Sequence, residues 1–172
     1  MKSKIANSIS SVLIISVAII FAIGSTDEGV PAKTVDTSLN ETVTTPTVEF
    51  TFTSVEATRT VGGEFFKETA GEGATYIAVT YKYKNIGKKA LGMWETPSLT
   101  LHDAEGNEFD SDTGASVAFA SRGEDDAKVI SDLNPGLTAN DSEVWEISEE
   151  FFLKGGWYIV AEAGDKIKIQ VN

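Results

Sequence analysis

The sequence predicts an all-β domain, an antiparallel sandwich or barrel, and three observations carry that prediction. The stretch Tyr76 to Gly87, YIAVTYKYKNIG, sets Ile77, Val79, Tyr81 and Tyr83 on every second position, with Ala78, Thr80, Lys82 and Lys84 between them. That is the period of a strand with one buried and one wetted face, and it closes on a turn signal, Asn85-Ile86-Gly87. Further short apolar runs follow at close spacing with turn residues between them, and no long helical period interrupts them.

Taken in order, the chain opens with Lys2 and Lys4 ahead of an uncharged stretch from Ile5 to Thr26. Ala22-Ile23-Gly24 then supplies small residues before Ser25, so residues 1–24 have the plan of a secretory signal peptide. The alternative is an uncleaved signal anchor, with residues 5–23 just long enough to span a bilayer and Ser8, Ser10, Ser11 and Ser16 weakening the span. Either way the remainder is expected outside the cytoplasm, secreted or tethered to the membrane. A lipoprotein leader needs Cys where Ser25 stands, which closes thioether lipidation there. Residues 25–47 carry Thr, Ser, Val, Asp and Glu with Pro31 and Pro46 and no aromatic residue, and are expected as a flexible linker. Asn40-Glu41-Thr42 and Asn140-Asp141-Ser142 are glycosylation sequons, relevant only in a host that glycosylates exported proteins.

The folded domain is expected over 48–172. Val48, Phe50 and Phe52 alternate with Glu49, Thr51 and Thr53 as a first strand, extended onward from Val55 to Val61 and broken at Gly62-Gly63. Ala70 to Gly73 delivers the chain to the central strand, and Lys88 to Trp94 reads as a short strand or irregular edge. Ser98 to His102 and Glu108 to Asp110 form a hairpin about Asp103-Ala104-Glu105-Gly106-Asn107. Ser111 to Asp132 is small and polar, with Val117, Phe119, Val129 and Ile130 as anchors and Glu124-Asp125-Asp126 as a solvated loop tip. Asn134-Pro135-Gly136 is a turn, since Pro fixes φ and Gly accepts positive φ. Strands are expected at Ser142 to Ser148, Trp157 to Ala161 and Ile167 to Val171, with a brief helical turn near Ser148 to Leu153.

Composition narrows the function. The 172 residues are 41% hydrophobic, enough for one domain's core, and carry a formal charge of -12. So negative a surface repels phosphate backbones, which argues against nucleic acid and against docking on anionic lipid through a basic patch. With no cysteine, thiol catalysis, disulfides and thiolate metal sites are excluded. The chain's single histidine, His102, lies at a strand end and, without partners for catalysis or a metal, is expected to be structural or simply exposed. No Gly-x-Ser-x-Gly elbow or phosphate loop is present. Asp103, Glu105, Asn107, Asp110 and Asp112 alternate oxygen ligands that suit a hard cation such as Ca²⁺, although Gly106 sits two places early for an EF-hand and a hairpin turn needs the same residues. Trp94, Trp145 and Trp157 with Tyr81 and Tyr83 are expected in or beside the core before any aromatic binding face.

The runs GATYIAVTYKYKNIGKKAL, LTLHDAEGNEFDSD, DLNPGLTANDSEVWEIS and WYIVAEAG resemble the DUF4352 family. The matching positions are Asn85 and Gly87, Leu101, Asp103 and Gly106, Asn134, Pro135 and Gly136, and Val144 and Trp145, over roughly Val48 to Asn172. The resemblance implies an immunoglobulin-like antiparallel β-sandwich, extracellular and related to secreted MPT63-type proteins, and it brings no catalytic residues. The expectation is therefore a non-enzymatic exported module without cofactor, binding an unknown protein or cell-envelope partner. The alternative is a small-ligand or Ca²⁺-binding extracytoplasmic module that uses the 103–112 acidic hairpin. Paired carboxylates converging in a cleft would instead mark an acidic hydrolase.

Overall fold

The computed structural model describes residues 32–122 and 132–172. The leader 1–24, the first part of the expected linker, the acidic tip Glu124-Asp125-Asp126 and the anchors Val129 and Ile130 lie outside the described residues.

Strand β1 is Thr34–Thr37, β2 Val43–Thr44, β3 Val48–Thr58, β4 Thr60–Gly62, β5 Lys67–Thr69, β6 Ala74–Asn85, β7 Ser98–His102, β8 Glu108–Phe109, β9 Thr138–Ser148, β10 Tyr158–Ala163 and β11 Asp165–Gln170; helix α1 is Thr113–Ala120 and α2 Glu149–Phe152. They form a five-stranded sheet, β1-β11-β10-β7-β8, and a four-stranded sheet, β2-β3-β6-β9, with β4 and β5 as a separate hairpin. Side chains from both large sheets fill one apolar core, so the molecule is a β-sandwich. All the strand pairs in it are antiparallel except β1 with β11.

Strand β6 lies between β3 and β9, with Tyr81 opposite Phe52 on one side and Asp141 on the other. Ile77, Val79, Tyr81 and Tyr83 are buried on its inner face as the alternation predicts. The rings continue across strands: Phe50 stacks on Tyr81 at 5.4 Å, and Tyr81 on Tyr83 at 6.2 Å. Strand β3 shifts register between Phe52 and Ser54. That one-residue bulge lets Val55 follow Phe52 toward the core although three positions separate them.

Two expectations are corrected. The linker expected over 25–47 does not hold for its second half. Thr34–Thr37 pairs with β11, and Val43–Thr44 pairs with β3. Backbone pairing to neighbouring strands, rather than apolar pattern, makes these Thr-rich segments strands. The outer face of β6 is also not wetted along its length, because Ala78 is buried in a second apolar cluster with Val61, Ala70, Tyr76, Ala115, Ala118, Phe119 and Val144. Helix α1, within the small, polar stretch 111–132 for which no element is expected, covers that face, and alanines on both sides permit the close approach. Asp112 caps it, accepting from the Ala115 N–H at 2.9 Å. The Asp112 N–H donates to Val144 O at 2.7 Å and the Val144 N–H to Ser116 Oγ at 3.0 Å, which partners the otherwise free edge of β9.

Val79→Asp is expected to cost more than about 3 kcal/mol, since it places an unpartnered charge in the core, whereas Lys82→Asp on the exposed part of β6 costs under about 0.5 kcal/mol. Denaturant unfolding of the two variants checks this, and equal losses would contradict the register.

Candidate functional site

The loops at one end of the sandwich converge on Asn85, the last residue of β6, which is fully buried. Its Nδ2 donates to Lys89 O at 2.8 Å and Leu133 O at 2.7 Å, and its Oδ1 accepts from the Gly87 N–H at 2.8 Å. Its backbone N–H donates to Leu137 O and its carbonyl accepts from the Gly136 N–H. Every polar group of this amide is thus satisfied inside the protein, which fixes the 85–91 and 133–137 loops to each other. Leu91 and Leu133 extend the joint by exchanging backbone hydrogen bonds.

That frame carries a 3₁₀ turn, Met93–Glu95. The Gly92 N–H donates to Glu95 Oε2 at 3.0 Å, the Glu95 N–H to Gly92 O at 2.9 Å, and Thr96 Oγ1 to Met93 O at 2.9 Å. On this closed turn Met93 is 65% and Trp94 93% exposed. Trp94 walls a cleft of about 360 Å³ whose other residues include Thr47, Thr96, Ser98, Glu162 and Lys166. The expectation that the tryptophans belong to the core therefore holds for Trp145 and Trp157, at 0% and 3% exposure, and fails for Trp94.

The acidic hairpin is not drawn together as a cation site. Asp103 accepts from the Asn107 backbone N–H at 2.8 Å and from Asn107 Nδ2 at 2.7 Å. The Asn107 side chain, aided by backbone N–H groups, holds its carboxyl below the ordinary value. Asp112 is occupied as the cap of α1, and Glu105 and Asp110 face solvent. Among the described residues no three His, Cys, Asp or Glu side chains meet in a way that could hold a metal ion. Next to the hairpin a second cleft, of about 420 Å³, takes in Phe151, Lys154 and Trp157, but Lys154 Nζ already covers the Phe151 ring at 4.2 Å. His102 stacks on Tyr158 with centroids 4.9 Å apart, its Nδ1 buried without a partner.

A pair of carboxylates does lie close together, at a place sequence reasoning missed. Asp141 and Glu143 share the inner face of β9 with Trp145, and the parity of that strand was the signal that would have found them. Glu143 faces the Ser111 side chain and the backbone of Leu99 on β7, in the opposite sheet. Burial, then the charge of Asp141, pushes its carboxyl from the ordinary 4.5 up to about 7. Tyr81 bonds Asp141, and burial followed by both acids raises its hydroxyl well above the ordinary range. Neither acid lines the two clefts just described. Because the folded state keeps a proton that the unfolded chain has lost, stability falls as pH rises from about 4.5 to about 7 and levels off above that. Glu143→Gln is expected to flatten this slope and to be more stable than the parent at pH 8, by on the order of 2 kcal/mol. Melting temperatures across that range check it, and an unchanged slope in the variant would contradict it.

Comparison with known proteins places this architecture. Residues 37–150 match the family described as Domain of unknown function (DUF4352). The stretch starts within β1, ahead of the Val48 at which the resemblance was drawn, and stops short of β10 and β11. The Bacillus subtilis (strain 168) protein named Uncharacterized protein YxkC is 38% identical over 121 residues, covering 70% of this chain and 67% of that one. A conserved hypothetical protein from Bacillus anthracis superimposes with a TM-score of 0.68 at 27% identity, over 77% of this chain and 94% of its own. An uncharacterized beta-sandwich protein from Clostridium difficile 630 shares the fold, with a TM-score of 0.58 at 16% identity over 84% of this chain and 99% of its own. This chain belongs to the DUF4352 family.

Proposed function

We propose that this protein is an exported, non-enzymatic interaction module that engages a partner of the cell envelope through the end of the sandwich bearing Met93 and Trp94. The observation that carries the reading is the exposure of both side chains on a turn closed by its own hydrogen bonds. A tryptophan held in water forgoes the burial that would stabilise the monomer, and aromatic anchors of this kind concentrate the energy of binding. Presentation from a rigid frame limits the ordering cost of association. The address rests on the leader pattern of residues 1–24, with Lys2 and Lys4 before the apolar stretch. No helix among the described residues is long and apolar enough to cross a membrane; membrane attachment, where the leader is left uncleaved, is proposed through residues 5–23. The acidic surface favours a partner that is neutral or basic over a polyanion.

The test places a photo-reactive amino acid at position 94, and separately at position 82 on the sheet face, in the full chain made in its own host. Irradiation of intact cells is expected to give a discrete adduct at 94 that Met93→Ser weakens several-fold, and none at 82. Equal labelling at both positions, or none at 94, would remove this end as the interaction surface.

A further inference from the structure

We infer that the cleft beside Trp94 binds a neutral saccharide, an uncharged hexose or N-acetylhexosamine unit of an envelope glycan. The inference rests on the reading of this end as the partner-facing one and names the partner's chemistry. At about 360 Å³ the cleft lies in the size range of small-molecule sites. Trp94 lines one side of it, 93% exposed, on a turn whose backbone Glu95 and Thr96 hold closed.

The remaining wall is polar in a particular way. Thr47 and Ser98 bring hydroxyls that both donate and accept, Thr96 Oγ1, already donating to Met93 O, is left as an acceptor, and Lys166 Nζ pairs with Glu162 Oε1 at 3.0 Å beside the further carboxylates of Glu95 and Asp165. A sugar ring has the matching surface: an apolar C–H face for the indole, and an edge of hydroxyls that donate and accept in alternation. A wholly apolar ligand would leave these groups unpaired, at a cost in binding. A phosphate-bearing polymer would meet a chain of net charge -12. The cleft floor is stiff as well, because Ser98 and Glu162 are register partners on β7 and β10.

The experiment titrates the full chain, held in a mild detergent, with a tetramer of N-acetylglucosamine. Trp145 and Trp157 are buried, so a change in solvent-sensitive tryptophan fluorescence reports on Trp94. A saturable blue shift is expected, with binding heat that Trp94→Ala lowers at least tenfold in affinity and Trp94→Phe partly restores, all at unchanged melting temperature. Inorganic polyphosphate is expected to give no saturable signal. No saturation by the tetramer up to roughly 10 mM, or heat that Trp94→Ala leaves untouched, overturns the inference. In the first case an adduct at position 94 in cells would still stand for a protein partner, which separates failure of the sugar from failure of the interaction surface.

Discussion

One buried amide holds together the end of the sandwich that displays Trp94. Asn85 sits where the central strand leaves the sheet, and its side chain reaches three different stretches of backbone: Lys89, Leu133 and Gly87. A buried amide is costly unless every group is met, and here every group is met by loop backbone that has no ladder of its own. The two loops are therefore ordered by this joint to the sheet as well as by the Leu91–Leu133 bridge between them. Gly136 contributes by adopting φ of 84°, which lets its N–H turn back to Asn85 O. Without that joint the Leu91–Leu133 bridge would have no fixed register, and the turn that shows Trp94 would have no base.

The rest of the structure is arranged so that β6 can serve as that base. Its inner face packs against the opposite sheet, and the first part of its outer face packs against α1. Each edge of its sheet is managed differently. On one side β2 is only two residues long, and on the other β9 is partnered by Asp112 and Ser116. Glu143 on β9 faces β7 across the sandwich, which puts an ionisable group between the sheets. With its pKa raised to about 7, that carboxyl makes the stability of the sandwich depend on pH.

Much of this was legible in the sequence, for reasons that are local. Alternation fixed the inner face of β6, because a one-residue slip would expose all four apolar side chains. Asn85-Ile86-Gly87 and Asn134-Pro135-Gly136 announced turns because few other residues meet those backbone demands. Other features needed the tertiary fold. Thr34–Thr37 has almost no apolar pattern and is a strand because β11 offers it a ladder. Helix α1, TGASVAFA, has no helical stripe, and its small residues suit it to lie on Ala78. The acids of 103–112 looked like ligands because turn and cap chemistry draws on the same residue types as cation binding. Strand parity buries Trp145, whereas the hydrogen-bonded turn exposes Trp94.

The architecture is thus a stiff two-core scaffold with an aromatic residue displayed at one end, and recognition by such an end depends on loops that are already in place before the ligand arrives. Hydrogen exchange at single-residue resolution tests that most directly. The Gly87, Leu91, Leu133 and Gly136 amides are predicted to exchange as slowly as those in the middle of β6, because they open only when the sandwich does. Exchange at the rate of unprotected loop, with β6 still protected, would show that the Asn85 joint does not order this end.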